Sequence, residues 1–221
     1  MLAKGNQKQL WQALVYIVAF FLWTVTLCFV DVQAIGPRES SVGLATLNGA
    51  IHRLVGVNTC LYEITDWLGL VPIAVAFGFA VLGLVQWIVR MKINKVDGSI
   101  LVLGVFYLVV IAFYIFFESV TINRRPVLID GYLETSYPSS TTLLVLCVMP
   151  TANSQFQERI KNIQLRNTVV WAIRVFTVLM VVGRVCSGVH WITDIIGGGL
   201  LSAGLTRAYL FFVRLFSLQK S

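Results

Sequence analysis

Charge is scarce in this chain. Of its 221 residues only 12% are Asp, Glu, Lys or Arg, while 57% are apolar and the mean hydropathy is +0.82. A soluble domain of this size carries about twice that charged fraction. The apolar residues stand in long blocks, which describes a protein embedded in a bilayer with almost no soluble part. Acids are the rarer sign, 10 against 17 lysines and arginines, leaving a net charge of +7. No basic cluster interleaved with aromatics accompanies that excess, so no nucleic-acid partner is expected; basic cytoplasmic loops account for it. Cysteine is equally uninformative. Cys28, Cys60, Cys147 and Cys186 form no CxxC pair and no Cys/His metal spacing, so neither metal nor cofactor is expected. Cys28 and Cys147 sit inside apolar runs and read as packing residues. Cys60 and Cys186 could face one compartment, which is weak ground for a disulfide. Internal repeats, low-complexity tracts and soluble linkers are also missing, so residues 1–221 read as a single transmembrane domain.

What is present is a series of apolar blocks at residues 10–30, 67–89, 100–117, 139–152, 169–185 and 191–216. At about 1.5 Å per residue most of these reach across a hydrocarbon core of about 30 Å. The fourth is short and must borrow flanking polar residues. The first is longer than a signal-peptide core, which runs to about 15 residues, so Val32-Gln33-Ala34 is read past and the helix is retained. Residues 42–57 are mildly apolar, broken by Asn48, His52 and Arg53, and read as an interfacial helix between spans one and two. The expected fold class is therefore all-α, a polytopic bundle of six transmembrane helices.

Lysine and arginine set the orientation. Lys4 and Lys8, then Arg90, Lys92 and Lys95, then Arg159, Lys161 and Arg166, then Arg214 and Lys220 form one basic set. Most acids fall in the alternate loops. Both termini are then cytoplasmic, and residues 31–65, 118–138 and 184–190 face outward.

Those outward segments hold polar groups that are costly at membrane depth and so mark a site. One carries Asn123-Arg124-Arg125-Pro126, the next Tyr137-Pro138-Ser139-Ser140-Thr141-Thr142, and the last Arg184, His190 and Asp194. On a helix starting near Gly188, His190 and Asp194 share a face. A carboxylate beside one imidazole nitrogen fixes the tautomer and leaves the other nitrogen free to attack. Arginine forks suit phosphate oxygens, and a helix opening at Ser139 and Ser140 favours an anion. Together these are the parts of a phosphoryl-transfer site in which guanidinium groups neutralise the developing charge.

The order of the three segments resembles the type 2 phosphatidic acid phosphatase family of membrane enzymes. That family carries a lysine seven residues before Arg-Pro, then Pro-Ser-Gly-His, then Ser-Arg, five residues, His, three residues, Asp. Arg125-Pro126 matches the pair, Pro138-Ser139 the second motif, and Arg184, His190 and Asp194 the third at identical spacing. The resemblance implies a helical bundle with an outward-facing site. His190 is then the nucleophile that forms a phosphohistidine, Asp194 orients it, and Arg125, Arg184 and Ser139 hold the phosphate. It also implies a lipid-phosphate substrate in the bilayer and, with the compactness of the chain, a bacterial cell membrane. Oligomeric state is not indicated.

Four positions depart from the family pattern: Glu118 for the lysine, Ser140 and Thr141 for glycine and histidine, and Gly183 for serine. Arg124 is a candidate to restore the lost cation, or Glu118 pairs with an arginine. The family histidine at position 141 protonates the leaving oxygen, which a threonine hydroxyl cannot do near neutral pH. A basic alkoxide would leave slowly; a phosphate leaving group needs little protonation. The expected activity is therefore hydrolysis of a lipid phosphate or diphosphate, with a polyprenyl diphosphate favoured over phosphatidic acid or phosphatidylglycerophosphate. Water or Glu118 could supply the proton instead, or activity could be lost. A phosphotransferase with a lipid acceptor and a lipid-binding descendant of an enzyme are the rival functions. Elsewhere the simpler readings hold. His52 is interfacial, Tyr137 and Trp191 are interface anchors, and Arg174 is a structural pair-former or snorkelling group, with a substrate gate as the alternative. Gly197-Gly198-Gly199 permits close helix packing.

Overall fold

The computed structural model of the chain describes residues 4–219, so Lys220 of the basic set lies outside the described residues. Among the described residues eight α-helices follow one another: α1 (Lys4–Phe29), α2 (Ala45–Val55), α3 (Thr59–Leu68), α4 (Leu70–Arg90), α5 (Gly98–Ser119), α6 (Ser140–Arg159), α7 (Ile163–Ser187) and α8 (Ile192–Gln219). Among the described residues the extended pairings are isolated bridges. The all-α class expected from the apolar blocks is what the chain adopts.

Five helical segments among the described residues are long and apolar enough to cross a membrane: Gly5–Phe29, Thr59–Arg90, Gly98–Ser119, Ile163–Ser187 and Ile192–Phe216. Their outer faces carry exposed Leu22, Phe77, Trp87, Leu108 and Leu179, the surface a lipid solvent favours. The second segment is longer than the sequence reading of 67–89, because α3 joins α4 through Gly69.

Helix α6 is not among the five, and its surroundings explain why. Leu143, Val145, Cys147, Val148, Ala152 and the polar Thr151 and Gln155 along it are all buried. It packs against α4, α5, α7 and α8, so its neighbours are protein rather than lipid. Its polar groups find partners there: Gln155 Nε2 donates to Tyr209 Oη at 2.7 Å, and Thr151 Oγ1 lies 3.3 Å from Tyr107 Oη. The helix also runs past residue 152, where the sequence reading ends it, and continues through Pro150 to Arg159. Proline has no N–H for the carbonyl four residues back. That carbonyl, on Leu146, accepts from Thr206 Oγ1 of α8 at 3.4 Å, an interhelical repair of the kind that tolerates proline in membrane helices.

The core joins α1, α5, α6 and α8 through Phe20, Leu103, Phe106, Cys147, Leu201 and Tyr209. Helices α1 and α8 approach closely because Gly204 is bare; a Cβ there would lie 2.8 Å from Ile17 Cδ1. Tyr137 belongs to this core and is not an interface anchor. It is 1% exposed, stacks on Phe20, and lies against Gly197, where a Cβ would overlap its ring. Gly198 is likewise close to Ser139 and Thr142, whereas Gly199 faces open space. Cys147 is buried as a packing residue, but Cys28 is exposed, and all four cysteines are free.

The two ends of the bundle differ. At one, Asp97 between α4 and α5 accepts from Arg90 at 2.8 Å and from Arg159 at 2.9 Å, and Arg214 Nη1 donates to the Gly5 carbonyl at 3.4 Å. At the other, residues 31–65, 118–138 and 184–190 fold onto one another. Asn123 Oδ1 accepts from Gly43 N at 3.1 Å, Asn48 Nδ2 donates to Thr193 Oγ1 at 2.9 Å, and Asn58 N donates to the Ser187 carbonyl at 2.9 Å. Arg174 sits mid-span with its guanidinium 5.6 Å from the Trp171 ring centroid, a cation–π contact within one turn.

Candidate active site

The α7–α8 connection sets the position of His190. Helix α7 ends at Ser187 and is capped by Gly188, whose φ of +66° is open to glycine and strained for other residues. A Cβ there would also overlap the Gly56 carbonyl oxygen. The connection is thus pinned against the α2–α3 turn, and His190 is 5% exposed at its base. Helix α8 starts at Ile192, so His190 lies in the connection rather than one helical turn before Asp194. His52 is no idle interfacial residue: its Nε2 lies 3.1 Å from the Gly188 carbonyl oxygen, and its ring packs 5.3 Å from that of Trp191. Trp191 is 3% exposed and donates Nε1–H to the Arg124 carbonyl at 2.7 Å, so it is a core residue of the site and not an anchor.

Two arginines converge on the imidazole. Arg184 in the last turn of α7 is 1% exposed, and its Nη2 donates to His190 Nε2 at 3.2 Å. Arg125 Nη1 donates to the same nitrogen at 3.4 Å. Donors on Nε2 require that nitrogen to carry its lone pair, so the ring proton sits on Nδ1. Burial, and then the positive charges of Arg125 and Arg184, hold the imidazole well below its usual pKa range. His190 is therefore neutral with a bare Nε2. The two guanidinium carbons lie 5.9 and 5.1 Å from the centroid of the Tyr62 ring, so one aromatic ring contacts both forks. Glu134 Oε2 lies 3.0 Å from Arg125 Nε, and Asp66 Oδ1 lies 3.6 Å from Arg184 Nη1. Arg184 Nε is buried without a hydrogen-bond partner. Two guanidinium groups at one lone pair make a preformed anion site.

Arg125 reaches this place because residues 123–136 fold back on themselves. Arg125 N donates to the Glu134 carbonyl at 3.1 Å, Ser136 N donates to the Asn123 carbonyl at 2.9 Å, and Arg124 bridges Thr135. Side chains alternate in such an extended pairing, so Arg124 points away from Arg125. Its Nη1 donates to the Leu133 carbonyl at 2.9 Å, and the structure does not bring it to the imidazole. Glu118 does not pair with an arginine either; its Oε2 accepts from Thr135 Oγ1 at 3.1 Å, and it lines a small cleft with His190, Ser136 and Ser140.

Asp194 is fully buried in the first turn of α8 and accepts from Trp191 N at 2.9 Å and Asn123 Nδ2 at 3.4 Å. It does not touch the imidazole directly: His190 Nδ1 and Asp194 Oδ2 are 3.8 Å apart, beyond hydrogen-bond range. Ser136 stands between them, donating its hydroxyl to Asp194 Oδ2 and lying 3.0 Å from Nδ1. Sequence reasoning misses Ser136, as it misses Tyr62, Thr65, Asp66 and Glu134, because each lies outside the three motif segments or beside them without a spacing signal.

Ser139 takes the N-cap position of α6, but its side chain makes no capping bond; it is fully buried and accepts from Thr142 Oγ1 at 3.0 Å. Ser140 lies at the opening of α6 and lines the cleft shared with His190. It also lines, with Thr141 and Asp66, a cavity of about 530 Å³ between α4, α5 and α6 walled by Leu70, Ile73, Val110 and Leu144. Polar groups therefore mark one end of an apolar channel, and Tyr114, Ser140 and Leu143 border both spaces.

A family model described as the PAP2 superfamily matches residues 115–216. No curated protein matches the chain. Among solved structures, the chain is similar to the first transmembrane PAP2-type phosphatidylglycerolphosphate phosphatase from Bacillus subtilis. Identity is 19%, the TM-score is 0.59, and the match covers 96% of this chain and 98% of the other.

Proposed function

Because this chain belongs to the type 2 phosphatidic acid phosphatase superfamily, we propose that it is a membrane lipid-phosphate phosphatase working through a phosphohistidine at His190. What supports this is the convergence of Arg125 and Arg184 on the bare Nε2 of a buried, neutral imidazole. The lipid's phosphoryl group enters between the guanidinium groups and Nε2. Its oxygens take the arginine forks and the free N–H groups at the start of α6, where the helix dipole favours an anion. Nε2 attacks phosphorus, the P–O bond to the leaving group breaks, and the phosphoryl group is carried on His190. Water then attacks phosphorus, releases phosphate and returns the imidazole to its neutral form. Apolar chains occupy the cavity walled by α4, α5 and α6.

A polyprenyl diphosphate is the favoured substrate. Thr141, at the border of the channel, cannot protonate a leaving alkoxide near neutral pH. A diphosphate departs as a lipid monophosphate, a far weaker base. The site faces the outer leaflet, with the basic end of the bundle and both termini in the cytoplasm of a bacterial cell. The test is phosphate release by the detergent-solubilised chain from phosphatidic acid, phosphatidylglycerophosphate, and polyprenyl mono- and diphosphates. Release from the diphosphate, with a trapped phospho-enzyme abolished by His190→Ala, is the expected result. Full turnover by His190→Ala overturns the mechanism, and turnover confined to monophosphates overturns the substrate preference. Phosphoryl transfer to an added lipid instead of water would make the chain a transferase.

A further inference from the structure

We propose that Ser136 is a positioning residue of the reaction, its hydroxyl forming the link through which Asp194 orients and stabilises His190. The inference rests on the phosphohistidine reading above. The carboxylate that should brace the nucleophile stands 3.8 Å from Nδ1, too far for a hydrogen bond. The Ser136 hydroxyl fills that gap, 3.0 Å from Nδ1, with its proton directed to Asp194 Oδ2. Hydroxyl chemistry allows one arrangement here. The single O–H is committed to the carboxylate, so the oxygen's lone pair accepts from Nδ1–H. That assigns the tautomer with the proton on Nδ1 and the lone pair on Nε2, the one that the two guanidinium donors on Nε2 require independently.

When Nε2 bonds to phosphorus the ring becomes positively charged. No proton need leave Nδ1: it stays on the nitrogen, hydrogen-bonded to Ser136, whose own bond to Asp194 is polarised by the carboxylate beyond. In a buried chain of this kind each hydrogen bond strengthens the next. Ser136 is held for this task by its backbone, since its N–H donates to the Asn123 carbonyl at 2.9 Å, and it is 2% exposed. Asn123 in turn donates to the far oxygen of Asp194 at 3.4 Å, so one backbone pairing places both partners of the carboxylate.

The experiment is steady-state kinetics of the full chain in detergent with the substrate panel above. Inorganic phosphate serves as a competitive inhibitor reporting the integrity of the anion site. Ser136→Ala should lower kcat about 10–100-fold, the cost of losing an outer partner of a functional imidazole. KM and the phosphate inhibition constant should stay within about twofold, because Arg125 and Arg184 remain in place. Ser136→Thr, which keeps the hydroxyl, should recover part of kcat. The double variant Ser136→Ala/Asp194→Ala should be no slower than Asp194→Ala, since both changes cut one link. Unchanged kcat in Ser136→Ala, additive losses in the double variant, or loss of phosphate inhibition alongside kcat overturns the proposal. Turnover surviving in His190→Ala, or a wild type inert on every lipid, fells the phosphohistidine reading and the Ser136 role with it. A dead His190→Ala beside a fully active Ser136→Ala fells the Ser136 role alone.

Discussion

A Cβ on Gly183 would lie 2.6 Å from Cγ2 of Thr65, so the α3 threonine fills the space that any side chain at position 183 needs. The same threonine's hydroxyl lies 3.4 Å from Arg184 Nη1, accepting from the guanidinium while it donates back to the carbonyls of Leu61 and Tyr62. The motif this chain resembles has a serine before that arginine. Here a hydroxyl reaches the arginine from a neighbouring helix. Gly183→Ser should therefore destabilise the chain by about 1–3 kcal/mol through overpacking and raise KM by displacing Arg184. Adding Thr65→Ala should recover much of both. Thermal unfolding in detergent and substrate saturation curves of the two single variants and the double variant check this, and a double variant worse than either single one contradicts it.

The pH dependence of the reaction follows from the groups around His190. Arg125 and Arg184 face its Nε2 and Asp194 lies behind Ser136. Glu118 of α5 borders the same cleft, and His52 of α2 lies across a small space on the other side. Burial and the two arginines hold the imidazole below the ordinary value of 6.5. In the proposed mechanism only the neutral ring attacks, so kcat/KM should stay flat down through pH 6.5, and its acid limb should appear below that. Arg125→Gln removes a positive charge and should move the limb to higher pH, alongside its loss of substrate affinity. The stability sign is the same: below about 6.5 the unfolded chain takes up a proton that the folded one refuses, so stability falls as pH drops. A pH–rate profile centred at or above 6.5 in the wild type would refute the neutral, preformed nucleophile.

The opposite end of the bundle makes a separate prediction. Burial alone would raise the Asp97 carboxyl, but hydrogen bonds from Arg90, Arg159 and Gln86 hold it at about 2. A depressed carboxylate contributes stability above its unfolded value of 3.8, and that contribution is lost as pH falls from there towards about 2. Asp97 is about one-third exposed, so solvent screens the pairs and Asp97→Asn should cost only about 1 kcal/mol at neutral pH. Its unfolding temperature should converge on that of the wild type as the pH falls through this window, with kcat unchanged throughout.

The sequence was most legible where one property governs a whole segment. Apolar blocks of about the length of the hydrocarbon core or longer mark α1, α4, α5, α7 and α8, because lipid selects the exposed side chains on them. Helix α6 was legible only in part, since its partners are helices and its composition answers to packing. Its passage through Pro150 depends on Thr206, which is 56 positions away. The third motif could be read because Arg184, His190 and Asp194 are fixed by one helix end and one tight connection. Tyr137 and Trp191 misled for a common reason: an amphipathic ring suits a membrane interface, and it suits a buried slot with one hydrogen-bond partner equally well. Ser136, Thr65 and Tyr62 carried no signal. A serine, a threonine and a tyrosine are ordinary residues until folding brings them to a particular imidazole or guanidinium.

Position 141 offers the sharpest test of substrate choice. The motif it resembles places an imidazole there to protonate the departing oxygen, and Thr141 leaves that task undone. It stands beside Ser140 in the lining of the apolar cavity, with Gly69 and Asp66 in the same wall, on the side where the proposed function seats the lipid chains. Thr141→His should supply the missing acid. General acid catalysis accelerates a step by about 10²–10⁴-fold when the leaving group is a strong base. The gain should therefore fall on phosphatidic acid and phosphatidylglycerophosphate, whose alkoxides need a proton. A polyprenyl diphosphate, which leaves as a weakly basic phosphate, should change by less than about tenfold. The measurement is kcat for each lipid in wild type and variant, with pH profiles showing a new basic limb for the monoesters as the added imidazole loses its proton. Equal gains for both classes would mean that protonation limits diphosphate hydrolysis too, and the preference inferred from Thr141 would have no chemical basis.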